Sequence, residues 1–202
     1  MELTVGIGST WSLRAWICSQ LAQVDIDIHK IDLSKPKYKT EIVQGSKAGL
    51  VPFLSYKGKV IHDSLAIAEF FNEQCKGALY PNSELERALA RSLCAELHSG
   101  FINLRSHCPF YTVPVEPLTK LSNELNDEIV RVRDIFESAT LPFMFDNAGV
   151  VDAFYSILAY RLKSYGIVFK GKAGKYQESL LTWPKLVQAI DLAKSWDKTT
   201  QC

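Results

Sequence analysis

Ser46–Glu69, with the sequence Ser-Lys-Ala-Gly-Leu-Val-Pro-Phe-Leu-Ser-Tyr-Lys-Gly-Lys-Val-Ile-His-Asp-Ser-Leu-Ala-Ile-Ala-Glu, decides the fold. It predicts two short strands joined by a turn and followed by a helix. Pro52 has no N–H to donate to a sheet, so the first strand, Phe53–Tyr56, begins directly after it. Lys57–Gly58 supplies the turn of a hairpin, and the second strand ends at His62.

The helix that follows the hairpin begins at an acceptor-rich pair, Asp63–Ser64. Apolar residues then recur at helical spacing and form one face: Leu65, Ala66, Ile67, Phe70 and Phe71. The free N–H groups at a helix start favour a carboxylate or a phosphate. The sequence therefore predicts an anion-binding pocket between the turn at Pro52 and this helix start.

The composition is that of a folded chain without a strong charge bias. Its 202 residues are 47% hydrophobic, which is enough for one large or two small domains with a real core. There are 23 basic and 22 acidic residues, and their charges are spread along the chain. This pattern does not indicate a nucleic-acid or membrane surface, and we expect small neutral or anionic ligands instead.

The cysteines and the N-terminus indicate a cytoplasmic protein. Five cysteines, an odd number without a Cys-x-x-Cys pair, argue against a disulfide framework. Met1–Val5 has no basic region leading into an apolar run, and no stretch approaches the ~20 apolar residues of a membrane span. Cys94 and His98 share a helix face, but they do not converge with His107–Cys108 on one ion, so we expect no metal.

The N-terminal part alternates strand and helix patterns. Leu3–Ile7 is a short β-branched run, after which apolar residues from Leu13 to Val24 recur at helical spacing. Ile26–Leu33 alternates as a half-exposed strand does, and a short helix over Tyr38–Val43 precedes the hairpin. The resulting order, βαβαββα, is that of a thioredoxin-like domain.

No segment after residue 77 predicts a strand. Ala78–Asn82 breaks the pattern, so we expect a thioredoxin-like domain over residues 1–77 and an all-helical domain over 83–202. Helices are predicted over residues 83–107, 117–138, 150–165 and 184–196. The predicted fold class is α/β plus all-α.

Two parts of the chain carry a family resemblance. Gly49–Pro52 followed by Asp63–Ile67 resembles the glutathione-binding half of the glutathione transferase family. Ala95–Phe101 and Pro142–Phe145, the latter continuing into Val150–Phe154, are similar to the all-helical domain of its bacterial members. The resemblance covers nearly the whole chain, extends to the zeta or maleylacetoacetate isomerase branch, and implies glutathione as co-substrate.

The resemblance implies roles for the residues around the proline turn. In that family the strand before the proline offers backbone groups to the cysteinyl part of glutathione, and the acidic-Ser pair binds its γ-glutamyl end. Here those roles fall to Leu50, Val51, Asp63 and Ser64. The family often has Lys, Arg or Gln at the position of Leu50, so the resemblance implies that this chain lacks one side-chain contact to glutathione.

Ser9–Arg14 resembles the serine-type motif of the family, in which the first serine donates its hydroxyl to the glutathione sulfur. A thiol with a pKa near ~8.5 is mostly protonated at neutral pH, so activating glutathione means stabilising its thiolate. Ser9 is the candidate catalytic residue, with Thr10 and Ser12 as close rivals. Serines at 9 and 12 occupy the spacing of a redox Cys-x-x-Cys pair, which excludes dithiol–disulfide exchange by this turn.

The candidate residues on the electrophile side are aromatic. Trp11 follows the Ser9 turn by two residues, and Phe110 and Tyr111 follow a helix break at Pro109. Such side chains suit an apolar pocket wall, although aromatic residues are more often part of a core.

The implied function is conjugation of the glutathione thiolate to small, partly apolar electrophiles, which is detoxification chemistry. Two alternatives stay open: a glutathione-dependent isomerase of the maleylacetoacetate type, in which glutathione adds and leaves again, and a non-catalytic binder of glutathione or an apolar ligand. The resemblance also implies a homodimer.

Gly149 departs from the family, which usually has Ser or Thr there as the N-cap of a capping box with an acidic residue at the position of Asp152. Glycine at an N-cap costs only a few tenths of a kcal/mol. We expect the same fold with a less firmly specified helix start.

Overall fold

The computed structural model describes residues 1–198, and its N-terminal part is built on a four-stranded sheet. The strands are β1 (Glu2–Gly6), β2 (Asp27–Ile31), β3 (Phe53–Tyr56) and β4 (Lys59–Ile61). They lie side by side in the order β2-β1-β3-β4. β1 is parallel to β2 and antiparallel to β3, and β3 is antiparallel to β4. β1, paired along both edges, is buried after its first residue.

Three helices join or follow these strands: α1 (Thr10–Leu21), α2 (Tyr38–Gly45) and α3 (Ser64–Gln74). α1 packs against α3, and α2 packs against β2. Ile31, Ile42 and Phe53 form a buried cluster in this part of the chain. The predicted order βαβαββα and the thioredoxin-like domain are thereby confirmed.

Beyond α3 the described chain, up to residue 198, contains helices and no strand. They are α4 (Glu84–Ser99), α5 (Ile102–His107), α6 (Asn123–Glu137), α7 (Val150–Ser164), α8 (Gly171–Thr182) and α9 (Pro184–Lys198). α7 packs against α4 and α8, and α6 packs against α5 and α8. The first ten residues of α7 are all buried, which makes it the central helix of this region. The predicted fold class, α/β plus all-α, is confirmed.

Contacts within the chain divide it into two units. The first comprises Met1–Leu79 with the described residues from Gln188 onward, and the second is Tyr80–Val187. The change at residue 79 falls inside the segment 78–82 that the sequence marks as a break. The later part of α9 groups with the first unit, whereas the sequence places it in the helical domain. The division into 1–77 and 83–202 stays a prediction.

The helix predicted over residues 83–107 is two helices, because the backbone turns at Phe101. This residue has a left-handed φ of 55° and stands between α4 and α5. The free N–H groups at the start of α5 find their acceptor in Glu128 of α6. Its carboxylate accepts from the N–H of Asn103 at 3.1 Å and from that of Leu104 at 2.7 Å. A carboxylate supplied from another helix thus replaces the hydrogen bonds lost at the break.

α8 is not predicted by the sequence, because Gly171 and Gly174 there indicate a loop. Gly174 is needed for close approach, since a Cβ at this position would collide with the carbonyl oxygen of Phe169. A side chain from another helix stabilises the start of α8: Oε2 of Glu137 in α6 accepts from the N–H of Ala173 at 2.8 Å. Tertiary contacts therefore outweigh the low helix propensity of the two glycines.

α6 begins at Asn123 rather than at the predicted residue 117. Ser122 is its N-cap, and its Oγ accepts from the N–H of Leu125 at 3.2 Å. Ser122 is favoured over Pro117 as the start of the helix because its side chain satisfies a free N–H.

Asp152 holds the start of α7 although Gly149 has no side chain to cap it. Its carboxylate accepts from the N–H of Gly149 at 2.9 Å, that of Met144 at 2.9 Å and the hydroxyl of Tyr176 at 2.7 Å. Burial raises the pKa of Asp152, and these three donors oppose that rise. One half of the capping box is therefore present, and the carboxylate also binds two further donors.

The Asp152→Ala variant is expected to lose about 3 kcal/mol or more of unfolding free energy, because three donors, two of them buried, lose their acceptor together. Urea unfolding followed by circular dichroism measures this loss. Asp146→Ala removes an exposed carboxylate nearby and is the control, with a change within about 0.5 kcal/mol. Equal stabilities of the two variants would contradict the role given to Asp152.

Candidate functional site

The strand registers bring three candidate segments to one edge of the sheet. β1 ends at Gly6, and Ser9 follows it. β3 runs the opposite way with Phe53 opposite Thr4, so Pro52 lies beside the end of β1. β4 ends with Ile61 opposite Leu54, which places the start of α3 at this same edge. The Ser9 turn, the proline turn and the α3 start therefore share one edge.

The absence of a side chain at Gly6 allows the segment before the proline to pack closely against β1. A Cβ at Gly6 would lie 2.7 Å from Cγ2 of Val51 and 2.7 Å from Cδ1 of Leu33, so a side chain there does not fit. The run Gly6-Ile7-Gly8, which closes the first predicted strand, was the only signal of this constraint. The packing leaves Val51 half-buried, whereas Leu50 beside it is 64% exposed.

Ser9 is the N-cap residue of α1 and is partly exposed. Its Oγ accepts from the N–H of Ser12 at 3.3 Å. Within residues 1–198 its hydroxyl donates to no other atom, so its hydrogen is available to a ligand. A partly exposed hydroxyl donor at a helix N-terminus suits the stabilisation of an anion.

Ser12 differs from Ser9 in burial and in its hydrogen bond. It is fully buried, and its Oγ accepts from the buried N–H of Gly6 at 3.1 Å. This hydroxyl ties the end of β1 to α1. Thr10, in the first turn of α1, is partly exposed and stays a rival of Ser9 by position.

The start of α3 combines a capping carboxylate with a buried hydroxyl. Oδ1 of Asp63 accepts from the N–H groups of Leu65 at 2.8 Å and Ala66 at 3.4 Å. Ser64 is 1% exposed, and its Oγ has no hydrogen-bond partner among residues 1–198. Its own N–H is the first of the helix and has no acceptor within it. A buried hydroxyl without a partner is costly, which makes this position suited to a polar ligand.

The three aromatic candidates lie in different surroundings. The guanidinium of buried Arg14 stacks on the Trp11 ring, 4.4 Å from its centroid, so one face of that ring is covered. Phe110 packs against Tyr160 with ring centroids 5.7 Å apart, and Tyr111 is 50% exposed. Trp11 belongs to the first unit, and Phe110 and Tyr111 to the second.

Two features are absent from the described residues 1–198. No group of three or more His, Cys, Asp and Glu side chains there is arranged to hold a metal ion. No helix of this part is both long enough and apolar enough to cross a bilayer.

Residues 8–74 match the family model described as glutathione S-transferase, N-terminal domain. The match covers the Ser9 turn, the proline turn and α3. This part of the chain is a glutathione transferase domain. The family resemblance inferred from the motifs is thereby confirmed.

One curated relative of this glutathione transferase domain is a probable maleylacetoacetate isomerase of Caenorhabditis elegans. The two are 32% identical over 93 residues, which are 46% of this chain and 44% of the relative. The match thus spans less than half the length of that protein.

Solved glutathione transferases have the same fold. A zeta-class bacterial maleyl pyruvate isomerase matches with a TM-score of 0.73 and 19% identity, covering 96% of this chain and 98% of that one. A glutathione transferase homologue from Burkholderia, solved with bound glutathione, has a TM-score of 0.69 and 20% identity over 96% and 99%. Glutathione transferase Omega 3C from Trametes versicolor has a TM-score of 0.72 and 16% identity over 93% and 87%.

Proposed function

We propose that this chain is a glutathione transferase that conjugates the glutathione thiolate to small, partly apolar electrophiles. The observation that carries the proposal is the buried, unpartnered hydroxyl of Ser64 at the start of α3. The O–H and N–H of Ser64 suit the γ-glutamyl carboxylate of glutathione, and the carboxylate of Asp63 suits the ammonium beside it. Backbone groups of Leu50 and Val51 would then hold the cysteinyl part.

Ser9 would activate the sulfur. Its Oγ accepts from the N–H of Ser12, which orients the hydroxyl and leaves its hydrogen to donate to the thiolate. Such a donor stabilises the charged form, so the thiol loses its proton to solvent at a lower pH. With an aryl chloride, the sulfur forms a bond to the ring carbon, the carbon–chlorine bond breaks, and chloride leaves with the bonding electrons.

A glutathione-dependent isomerase of the maleylacetoacetate type is the second candidate. The curated relative is named as a probable maleylacetoacetate isomerase, and a bacterial maleyl pyruvate isomerase has the same fold. In such a reaction the thiolate adds to the substrate, a bond of the adduct rotates, and glutathione leaves unchanged. An assay that follows both loss of free thiol and isomerisation of a cis-enone distinguishes the two.

The purified protein is expected to bind glutathione with a micromolar to millimolar dissociation constant in a calorimetric titration. Ser64→Ala should weaken this binding about tenfold or more, because a hydrogen bond to a charged group is worth roughly 1.5–3 kcal/mol. Ser83→Ala, which removes the exposed N-cap of α4, is the matched control and should bind as the wild type does. If the wild type does not bind glutathione, the transferase proposal is contradicted, and the chain is a non-catalytic scaffold for another ligand.

Ser9→Ala is expected to lower kcat for conjugation about 10²-fold while glutathione affinity is kept, because only the developing thiolate loses a donor. The variant also loses an N-cap worth about 1 kcal/mol, so turnover is compared at a temperature where both proteins are folded. Thr10→Ala is the matched control. Unchanged turnover in Ser9→Ala together with a loss in Thr10→Ala would assign the role to Thr10.

We also infer a homodimer. On α4, Leu85 and Leu89 are one turn apart and are 71% and 50% exposed, an apolar strip that a second copy would cover. Sedimentation is expected to show a dimer at micromolar concentration, and Leu85→Glu with Leu89→Glu to shift it to a monomer. Val168→Glu, at a residue that is 56% exposed, is the control. A monomeric wild type would contradict the proposal.

A cytoplasmic location fits the free cysteines, since Cys18, Cys75, Cys94 and Cys108 form no disulfide in the described chain. Conjugation there would serve detoxification of reactive electrophiles.

A further inference from the structure

The segment directly before Pro52 has backbone groups that the chain itself does not use. Among residues 1–198, no group hydrogen-bonds to the backbone of Leu50 or Val51. The residue before a proline is biased towards an extended backbone, as in a strand. Unpaired N–H and C=O groups of an extended segment pair with an extended peptide laid beside them. Leu50–Val51 is therefore suited to hold a peptide ligand through its backbone.

Two exposed apolar side chains lie at this segment. Leu50 is 64% exposed, and Val43, in the last turn of α2, is 54% exposed. A Cβ at Gly49 would lie 3.7 Å from Cγ2 of Val43, so the backbone next to Leu50 is within contact distance of that side chain. Val43 also lines a shallow depression on α2, together with Lys39, Thr40 and Gln44. We call Val43, Leu50 and this depression the α2 patch.

The sheet order places the α2 patch at one end of the candidate site. The strands lie in the order β2-β1-β3-β4, α3 follows β4, and α2 packs against β2. Val51 packs against the buried cluster that contains Ile42 of α2, which fixes α2 beside the segment. A ligand with its γ-glutamyl group at the start of α3 and its thiol near Ser9 therefore runs across the sheet towards α2. The part of the ligand that meets the α2 patch is the residue after its cysteine.

Glutathione leaves the α2 patch uncovered. Its third residue is glycine, which has no side chain to contact Val43 or Leu50. An apolar side chain at that position would remove part of the patch from water, and the gain grows with the apolar area removed. Single exposed apolar residues are normal on protein surfaces. This pair differs from them because it adjoins a backbone segment with unused hydrogen-bonding groups.

We propose that the α2 patch binds the side chain of an apolar third residue in a γ-glutamylcysteinyl peptide. The inference rests on the proposed transferase function and names the class of thiol that the chain prefers, tripeptides that end in a residue such as leucine. Lys39, which also lines the depression, would attract the C-terminal carboxylate of glutathione and of such a peptide alike. The preference therefore depends on the apolar pair.

Calorimetric titrations with glutathione and with γ-glutamylcysteinylleucine test the proposal. The wild type is expected to bind the leucine peptide about fivefold or more tightly than glutathione. Val43→Ser and Leu50→Ser should each reduce this ratio of affinities, and the double variant should bring it to about one. The control Val60→Ser, at a residue of β4 that is 43% exposed, should keep the wild-type ratio. Equal affinities of the wild type for the two peptides would overturn the proposal, as would a double variant that keeps the preference.

Steady-state kinetics separate this inference from the transferase function. With chlorodinitrobenzene as the electrophile, KM for the leucine peptide is expected to be about fivefold lower than KM for glutathione. The kcat values should be similar, because the thiol and the Ser9 hydroxyl are the same in both reactions. Turnover of both peptides with equal KM would overturn the inference and leave the transferase function standing. Binding of neither peptide would refute the glutathione site itself.

A second copy of the chain is the other occupant that an exposed apolar patch can have. Sedimentation of the Val43→Ser, Leu50→Ser double variant decides this point. The double variant is expected to have the same oligomeric state as the wild type, because the proposed occupant is a peptide. A dimeric wild type and a monomeric double variant, together with equal affinities of the wild type for the two peptides, would assign the patch to a second copy and overturn the proposal.

Discussion

The packing of Val51 against the bare backbone of Gly6 is the constraint on which the candidate glutathione site depends. Because position 6 has no side chain, the segment before Pro52 lies directly against the end of β1. β3 then pairs with β1 in a register that brings the hairpin and α3 to the edge where the Ser9 turn begins. One missing methyl group thus allows three segments, far apart in the chain, to meet.

The free N–H groups at the helix starts are satisfied by local caps in some helices and by side chains from other helices in others. In the first unit the caps of α1 and α3 are local, from Ser9 and Asp63, and they leave a hydroxyl or a helix N–H available for a ligand. In the second unit, carboxylates from other helices satisfy the starts of α5 and α8, and Asp152 satisfies three donors at once. Ser83 and Ser122 also cap α4 and α6 locally, so among these helix starts those of α5 and α8 are the ones that depend on carboxylates from other helices.

The sequence was sufficient wherever local residues decide the structure. Pro52, the Lys57–Gly58 turn and the Asp63 cap predicted the hairpin and α3, because each acts on its own neighbours. α8 and the break at Phe101 were not predictable, since Glu137 and Glu128 act from other helices. The same limit applies to the site: Ser9 and Ser12 are alike in sequence, and only their burial and hydrogen bonds in the folded chain distinguish them.

The start of α7 shows how a helix start can survive the loss of its N-cap side chain. Asp152 binds the N–H of Gly149, while Met144 and Tyr176 hold the same carboxylate from two other directions. Position 149 therefore needs no hydroxyl side chain, because the helix start is held by the carboxylate and its three donors, which are spread over 33 positions of the chain. A search for distant relatives keyed to a Ser or Thr three residues before the aspartate would pass over this protein, whereas one keyed to the buried aspartate and its tyrosine would find it.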